Sequence, residues 1–132
     1  MPAGIFVRDR DGRFVLINRA YETVFGVTND DVRGLTLHDV FPKEQARQYA
    51  EHDAKVVKEK SLIIEEATVS TANGEIIISS SKFPLNDNDG ALVGIAGVEY
   101  DITEHKRAIA DLEKTEMSLS ESQAAPTVRD HV

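Results

Sequence analysis

The sequence predicts an α+β domain: a five-stranded antiparallel sheet with short helices and one longer helix on one face, followed by a C-terminal helix. Three observations favour this fold. Five apolar or β-branched runs are bounded by turn residues. Helical periodicity lies between the second and third runs. The length of 132 residues fits one domain, since domains usually comprise ~100–150 residues.

The first two strands are predicted at residues 5–7 and 14–17. Both runs are apolar, and Asp11-Gly12 lies between them. Glycine tolerates the positive φ that a tight turn needs, so an Asp-Gly pair between two such runs indicates a β-hairpin.

Three short helices are predicted next. The first covers residues 19–25, with Asn18 as its cap and Gly26 as its stop. The second lies within residues 28–34, and the third begins at Thr36 or Asp39 and ends before Pro42. Helices this short are unstable alone, so we expect the sheet to support them.

The longest helix of the predicted domain covers residues 43–60. Its inward stripe follows a period of 3.6 residues, is interrupted by Asp53 and is bordered by His52. The stripe consists of Ala46, Tyr49, Ala50, Asp53, Val56 and Val57.

The remaining strands are predicted at residues 62–71, 75–85 and 91–100. Turn residues separate them: Asn73-Gly74 first, then the segment 86–90. Three consecutive strands joined by short turns form an antiparallel meander, which completes the five-stranded sheet.

A C-terminal helix is predicted at residues 104–123, with Thr103 as its cap. Ile102, Ile109, Leu112 and Leu119 fall on a/d positions of a heptad pattern. This pattern favours pairing in a coiled-coil dimer, and a lone solvated helix is the alternative. We expect disorder at residues 124–132, which lack periodicity.

Composition excludes several function classes. The net charge of −8 argues against nucleic-acid binding, which requires clustered Lys and Arg. The absence of cysteine excludes disulfides and thiol nucleophiles, and it fits a cytoplasmic location. No apolar run approaches the ~18 residues of a membrane span, so we expect no direct membrane contact. No phosphate-binding loop or nucleophile–base pair is visible, so we expect no enzymatic activity.

The motifs resemble those of PAS domains of the bacterial sensor type. The resemblance covers residues 4–107, and the Asp-Ile-Thr-Glu junction is its most specific part. The matching segments are Gly4-Ile5-Phe6-Val7, Asp11-Gly12-Arg13, Ile17-Asn18-Arg19-Ala20-Tyr21, Phe25-Gly26, Gly34, Leu37-His38-Asp39-Val40-Phe41-Pro42, Asn73-Gly74-Glu75, Phe83-Pro84-Leu85, Asp89-Gly90, Val93-Gly94 and Asp101-Ile102-Thr103-Glu104-His105-Lys106-Arg107.

The resemblance implies a regulatory sensor domain at residues 1–103, within a signalling protein such as a two-component histidine kinase. A small ligand would bind between the sheet and the helices. Asp101 and Thr103 would relay the change to the C-terminal helix and a downstream effector domain. The alternative is a ligand-free protein–protein interaction or dimerisation module, whose core is closed by its own side chains.

Candidate ligand-binding residues lie on the helices and on the last two strands. Ser79 and Ser81 share a strand face with Ile77 and Phe83, although a water-bonded outer face is the alternative. Gly94 and Gly97 either open the cavity or permit close packing, and we favour packing. The candidates are Phe25, Val40, Phe41, Tyr49, His52, Val56, Ser79, Ser81 and Ile95.

His52 raises the question of a cofactor. In similar haem-binding PAS domains a histidine near this helix position ligates iron, which makes a haem-based gas or redox sensor a distant alternative. The segment 62–71 lacks the arginine that such domains use, so a surface or rim histidine is the simpler interpretation. Photoactive flavin domains require a cysteine, which leaves only a non-covalent flavin. No metal-ligand motif is present.

Overall fold

The computed structural model describes the backbone of residues 2–130 and the side chains of residues 2–120. Its elements follow the predicted order. They are β1 (Gly4–Asp9), β2 (Phe14–Ile17), α1 (Arg19–Phe25), α2 (Asn29–Val32), α3 (Leu37–Val40), α4 (Lys43–Glu59), β3 (Ile63–Thr71), β4 (Gly74–Asn86), β5 (Leu92–Asp101) and α5 (Thr103–Asp130).

The five strands form one sheet in the order β2-β1-β5-β4-β3. Every neighbouring pair is antiparallel. The segment from α1 to α4 leads the chain from the β2 edge to the β3 edge, which places β1 and β5 side by side in the centre. The predicted α+β class and five-stranded sheet are confirmed.

Local capping explains where the first helix begins. The Asn18 side-chain oxygen accepts hydrogen bonds from the backbone N–H of Tyr21 at 3.0 Å and of Ile5 at 2.8 Å. Its amide donates to the Ala3 carbonyl at 3.0 Å. Gly26 ends α1 with a left-handed φ of 69°. Asn18 therefore fixes both the helix start and its position against β1.

The core lies between one face of the sheet and the helices. Aromatic rings dominate it on the β1–β2 side, where the ring centroids of Tyr21 and Phe25 are 4.4 Å apart. The buried members are Phe6, Phe14, Ile17, Tyr21, Val32, Leu37, Phe41, Ala46 and Ile95.

The two strand glycines serve packing. A Cβ at Gly94 would lie 2.2 Å from the Arg8 carbonyl oxygen, and one at Gly97 would lie 2.3 Å from the Phe6 ring. Neither position tolerates a side chain without movement of β1 or of the Phe6 ring. The absence of bulk at β5 therefore lets β1 and its side chains approach closely.

The chain divides into two compact units at the Asp101–Ile102 bond. The second unit contains α5, which begins at Thr103 and extends past 123 to Asp130. It therefore reaches into residues 124–132, for which disorder stays a prediction. His131 and Val132 lie outside the described residues. Within the described part of the chain, no helix has the length and apolar character to span a membrane.

Candidate functional site

A cavity of about 330 Å³ lies between α4 and the strands β3, β4 and β5. Its volume is within the range of small-molecule sites, roughly 300–1,000 Å³. Both apolar and charged side chains surround it. The lining residues are Gln48, Tyr49, Glu51, His52, Lys55, Glu65, Glu66, Ala67, Thr68, Val69, Ile78, Ser80 and Glu99.

A buried ion network borders this region. Arg8 on β1 donates through Nη2 to both carboxylate oxygens of Asp53 on α4, at 2.8 and 2.7 Å. Lys82 on β4 donates through Nζ to Asp53 Oδ1 at 2.8 Å and to the Tyr49 carbonyl at 3.2 Å. Arg8 and Lys82 are each only 2% exposed. One carboxylate thus holds two buried cations and ties α4 to two strands.

Aromatic rings complete the surroundings of these cations. The Arg8 guanidinium lies 4.2 Å from the Phe6 ring centroid and 5.2 Å from that of Phe14. Arg8 Nε is fully buried without a hydrogen-bond partner, so the ring faces provide the favourable contact there. Burial lowers the pKa of Lys82, and the charge of Asp53 opposes that shift.

Glu99 contributes a second buried carboxyl, from β5. Its Oε1 accepts a hydrogen bond from Ser80 Oγ at 2.9 Å, and the residue is 7% exposed. Burial raises the pKa of Glu99, while Lys82 acts in the opposite direction. Glu99 and Ser80 both line the cavity, so a buried titratable group faces its interior.

His52 is buried, with 3% exposure, and it lines the cavity, so of the two predicted positions, surface or rim, the surface position is excluded. Its Nε2 lies 2.9 Å from the Ile63 carbonyl oxygen, which requires that nitrogen to donate. Nδ1 lies 3.8 Å from Glu65 Oε1. Burial lowers the pKa of His52. Because Nε2 is engaged with the backbone and Nδ1 faces a carboxylate, the residue does not fit the role of a haem ligand.

The structure distributes the predicted site residues among different places. Tyr49 and His52 line the cavity. Phe25, Val40 and Phe41 line a separate cleft of about 280 Å³ beside residues 69–72. The two remaining apolar candidates lie elsewhere: Ile95 borders a depression next to Arg8 and Asp53, and Val56 is fully buried.

The predicted serine pair lies on the other face of β4. Ile78 and Ser80 line the cavity, and Lys82 contacts α4. Successive side chains of a strand alternate between faces, so Ser79 and Ser81 face away from the cavity. The prediction placed Ser79 and Ser81 on the strand face of Ile77 and Phe83, because apolar neighbours indicate a covered face. The serine beside the cavity is Ser80.

Sequence reasoning missed most of the buried charges. Asp53 was noticed only as an interruption of an apolar stripe. Arg8 lies on the same face of β1 as Phe6, and Glu99 lies on the same face of β5 as Ile95. Strand parity was therefore the signal that could have shown their inward orientation. Polar side chains at inward strand positions mark this site more reliably than its apolar residues do.

Comparison with known proteins identifies the family. The family model described as the PAS fold matches residues 1–107. The solved PAS domain of Bordetella pertussis BvgS has 32% sequence identity and a TM-score of 0.70, and the alignment covers 89% of this chain and 90% of that one. The chain belongs to the PAS fold family.

Two curated relatives show where such domains occur. The methanogenesis regulatory histidine kinase FilI of Methanothrix harundinacea is 32% identical over 92% of this chain and 14% of its own length. The virulence sensor protein BvgS of Bordetella pertussis is 32% identical over 96% of this chain and 10% of its own length. The chain is therefore homologous to a small part of each of these sensor and kinase proteins.

Proposed function

We propose that this PAS domain is the cytoplasmic sensor domain of a signalling protein, and that it binds a small molecule in the cavity beneath α4. The supporting observation is the cavity itself. Its walls come from α4 and from β3, β4 and β5. The last of these strands ends at Asp101, two residues before α5 begins. The effector domain would follow α5, and α5 would pair with a second copy in a homodimer.

The relay needs a difference in free energy between two arrangements. A ligand shifts an equilibrium only by as much as it prefers one state over the other. Glu99 lies on β5 beside the cavity and only two residues before Asp101. A ligand that moves Glu99 would therefore act on the strand that leads directly to the Asp101–Thr103 junction.

One observation favours the second candidate, a ligand-free interaction module. The rings of Phe41 and Tyr49 are 5.2 Å apart, and Phe25 lies 5.7 Å from Phe41 and 6.4 Å from Tyr49. These three predicted ligand-binding residues therefore pack against one another. As an interaction module, the domain would bind partner proteins through its surface and would bind no small molecule.

Native mass spectrometry of the purified domain separates the two candidates. The sensor hypothesis predicts a bound small-molecule mass in the wild type. Ala67→Leu, which adds bulk to the cavity wall, should lose that mass. Ser79→Leu, on the opposite sheet face, should retain it. A clean apo mass for all three proteins would contradict ligand sensing and favour the interaction module.

The junction provides a second test. Asp101→Ala and Thr103→Ala should each abolish the ligand response of the full-length parent protein while the sheet stays folded. The loss of one polar contact at a helix start costs about 1 kcal/mol, which is too little to unfold a domain. Thermal melts monitored by circular dichroism check folding. Global unfolding, or an unchanged response, would contradict the proposed relay.

A further inference from the structure

Two spaces lie one after the other along the groove between α4 and the edge strand β3. The cavity lies beside residues 65–69 of β3, and the cleft of about 280 Å³ lies beside residues 69–72. The order along α4 agrees, because Gln45 lines the cleft and Tyr49, one helical turn later, lines the cavity. Among the described residues, Val69 is the one that lines both spaces. A partition therefore crosses the groove at Val69.

Val69 forms the strand side of this partition. Its neighbours at the same parity of β3 are Ala67, which lines the cavity, and Thr71, which lines the cleft. Side chains two residues apart on a strand point to the same face, so Val69 stands between the two spaces. The residue is only 4% exposed. A smaller side chain at this position would therefore connect the cavity with the cleft.

Tyr49 forms the helix side of the partition. Its hydroxyl oxygen accepts a hydrogen bond from Gln45 Nε2 at 2.9 Å. Its ring packs edge to face with Phe41 at 5.2 Å and with Phe25 at 6.4 Å between centroids, and both of these rings line the cleft. The Tyr49 side chain is thus held by three neighbours that belong to the cleft, and it closes the cavity at that end.

We propose that Val69 and the Gln45–Tyr49 pair determine ligand specificity by limiting the ligand to the length of the cavity. This inference rests on the proposed sensor function. The cavity of about 330 Å³ and the cleft of about 280 Å³ each lie near the lower end of small-molecule sites, roughly 300–1,000 Å³. The cavity therefore accepts a compact molecule, about the size of one substituted ring, and excludes a longer one that would have to cross the partition.

Two probes that differ only in length test this limit: benzyl alcohol and 4-phenylbutan-1-ol, which has three more methylene groups. Each is titrated into the ¹⁵N-labelled domain at pH 7, and its Kd is obtained from the amide shifts of residues 65–68. The readout is the ratio of the two Kd values in each protein. An open partition should let the additional methylene groups leave water for the cleft, which raises the preference for the longer probe about tenfold.

Two variants open the partition from opposite sides. Val69→Ala removes the strand side and should raise the preference for 4-phenylbutan-1-ol about tenfold over the wild type, with new shifts at residues 70–72. Gln45→Ala releases the Tyr49 hydroxyl and should change the ratio in the same direction. Val15→Ala, the matched substitution at an exposed position of β2, should keep the wild-type ratio. If Val69→Ala fails to fold, Gln45→Ala decides, since alanine favours helix.

Three results would overturn the inference. A wild-type ratio in either folded opening variant, with shifts still present at residues 65–68, would overturn the partition but leave a ligand cavity. The same conclusion would follow if 4-phenylbutan-1-ol shifted residues 65–68 and 70–72 of the wild type with a single Kd. Absence of shifts at residues 65–68 with both probes in every protein would overturn the partition and the proposed sensor function together.

Discussion

Replacement of Asp53 by alanine should destabilise the domain more than a typical single substitution. The Asp53 carboxylate accepts hydrogen bonds from two buried cations, Arg8 at 2.7 and 2.8 Å and Lys82 at 2.8 Å. Removal of one partner from a buried ion pair costs about 3–5 kcal/mol, because a buried charge is left uncompensated. With a urea m-value of roughly 1–3 kcal/mol/M, the unfolding midpoint should fall by about 2 M.

The assay is equilibrium urea unfolding at pH 7, followed by far-ultraviolet circular dichroism. Lys82→Met is the matched control, because it removes one buried charge and leaves the Arg8–Asp53 pair intact. Its cost should be about 1 kcal/mol or less, since a buried charge is exchanged for an apolar side chain of similar length. The reasoning would be refuted if Asp53→Ala lowered the unfolding midpoint by less than about 0.5 M urea. It would also be refuted if the two variants lost equal amounts of unfolding free energy.

Three further predictions concern stability. Asn18→Ala should lower the free energy of unfolding by about 1–2 kcal/mol in urea titrations, because it removes the α1 cap and a hydrogen bond to β1; a loss within error would contradict that role. Gly97→Ala should cost about 1–3 kcal/mol by the same assay, because its Cβ would overlap the Phe6 ring, and an unchanged midpoint would show that the ring moves freely. Burial lowers the pKa of His52 below its ordinary 6.5, so the unfolded chain takes up this proton first as the pH falls. Stability should therefore decline as the pH drops through that range, and His52→Gln should show a smaller decline; identical pH profiles would count against the shift.

The fold was predictable because its signals are local. Asp11-Gly12 and Asn73-Gly74 specify turns whose conformation few other residues adopt. Asn18 and Gly26 bound a helix by hydrogen bonding and by a left-handed φ. Such signals depend on a few neighbouring residues, so they can be recognised without knowledge of the tertiary structure.

The site was harder to predict because it depends on which side chains share a face across distant strands. Arg8, Asp53 and Lys82 come from three elements that are far apart in sequence. Each is individually a typical surface residue, and only their mutual pairing permits burial. Ser80 was missed for the same reason, since the correct parity of β4 depends on an inward Lys82 that has its partner on α4.

The central claim, that occupancy of the cavity changes the junction, can be tested by hydrogen–deuterium exchange of the wild-type domain, first as purified with its bound small molecule and then after removal of that molecule by unfolding and refolding. The occupied and the emptied protein are compared. Exchange should slow in peptides that cover residues 48–55 and should also change in peptides that cover residues 99–107. Ala67→Leu should show neither change. A change confined to residues 48–55, with residues 99–107 unaffected, would contradict the proposed relay even though the cavity holds a ligand.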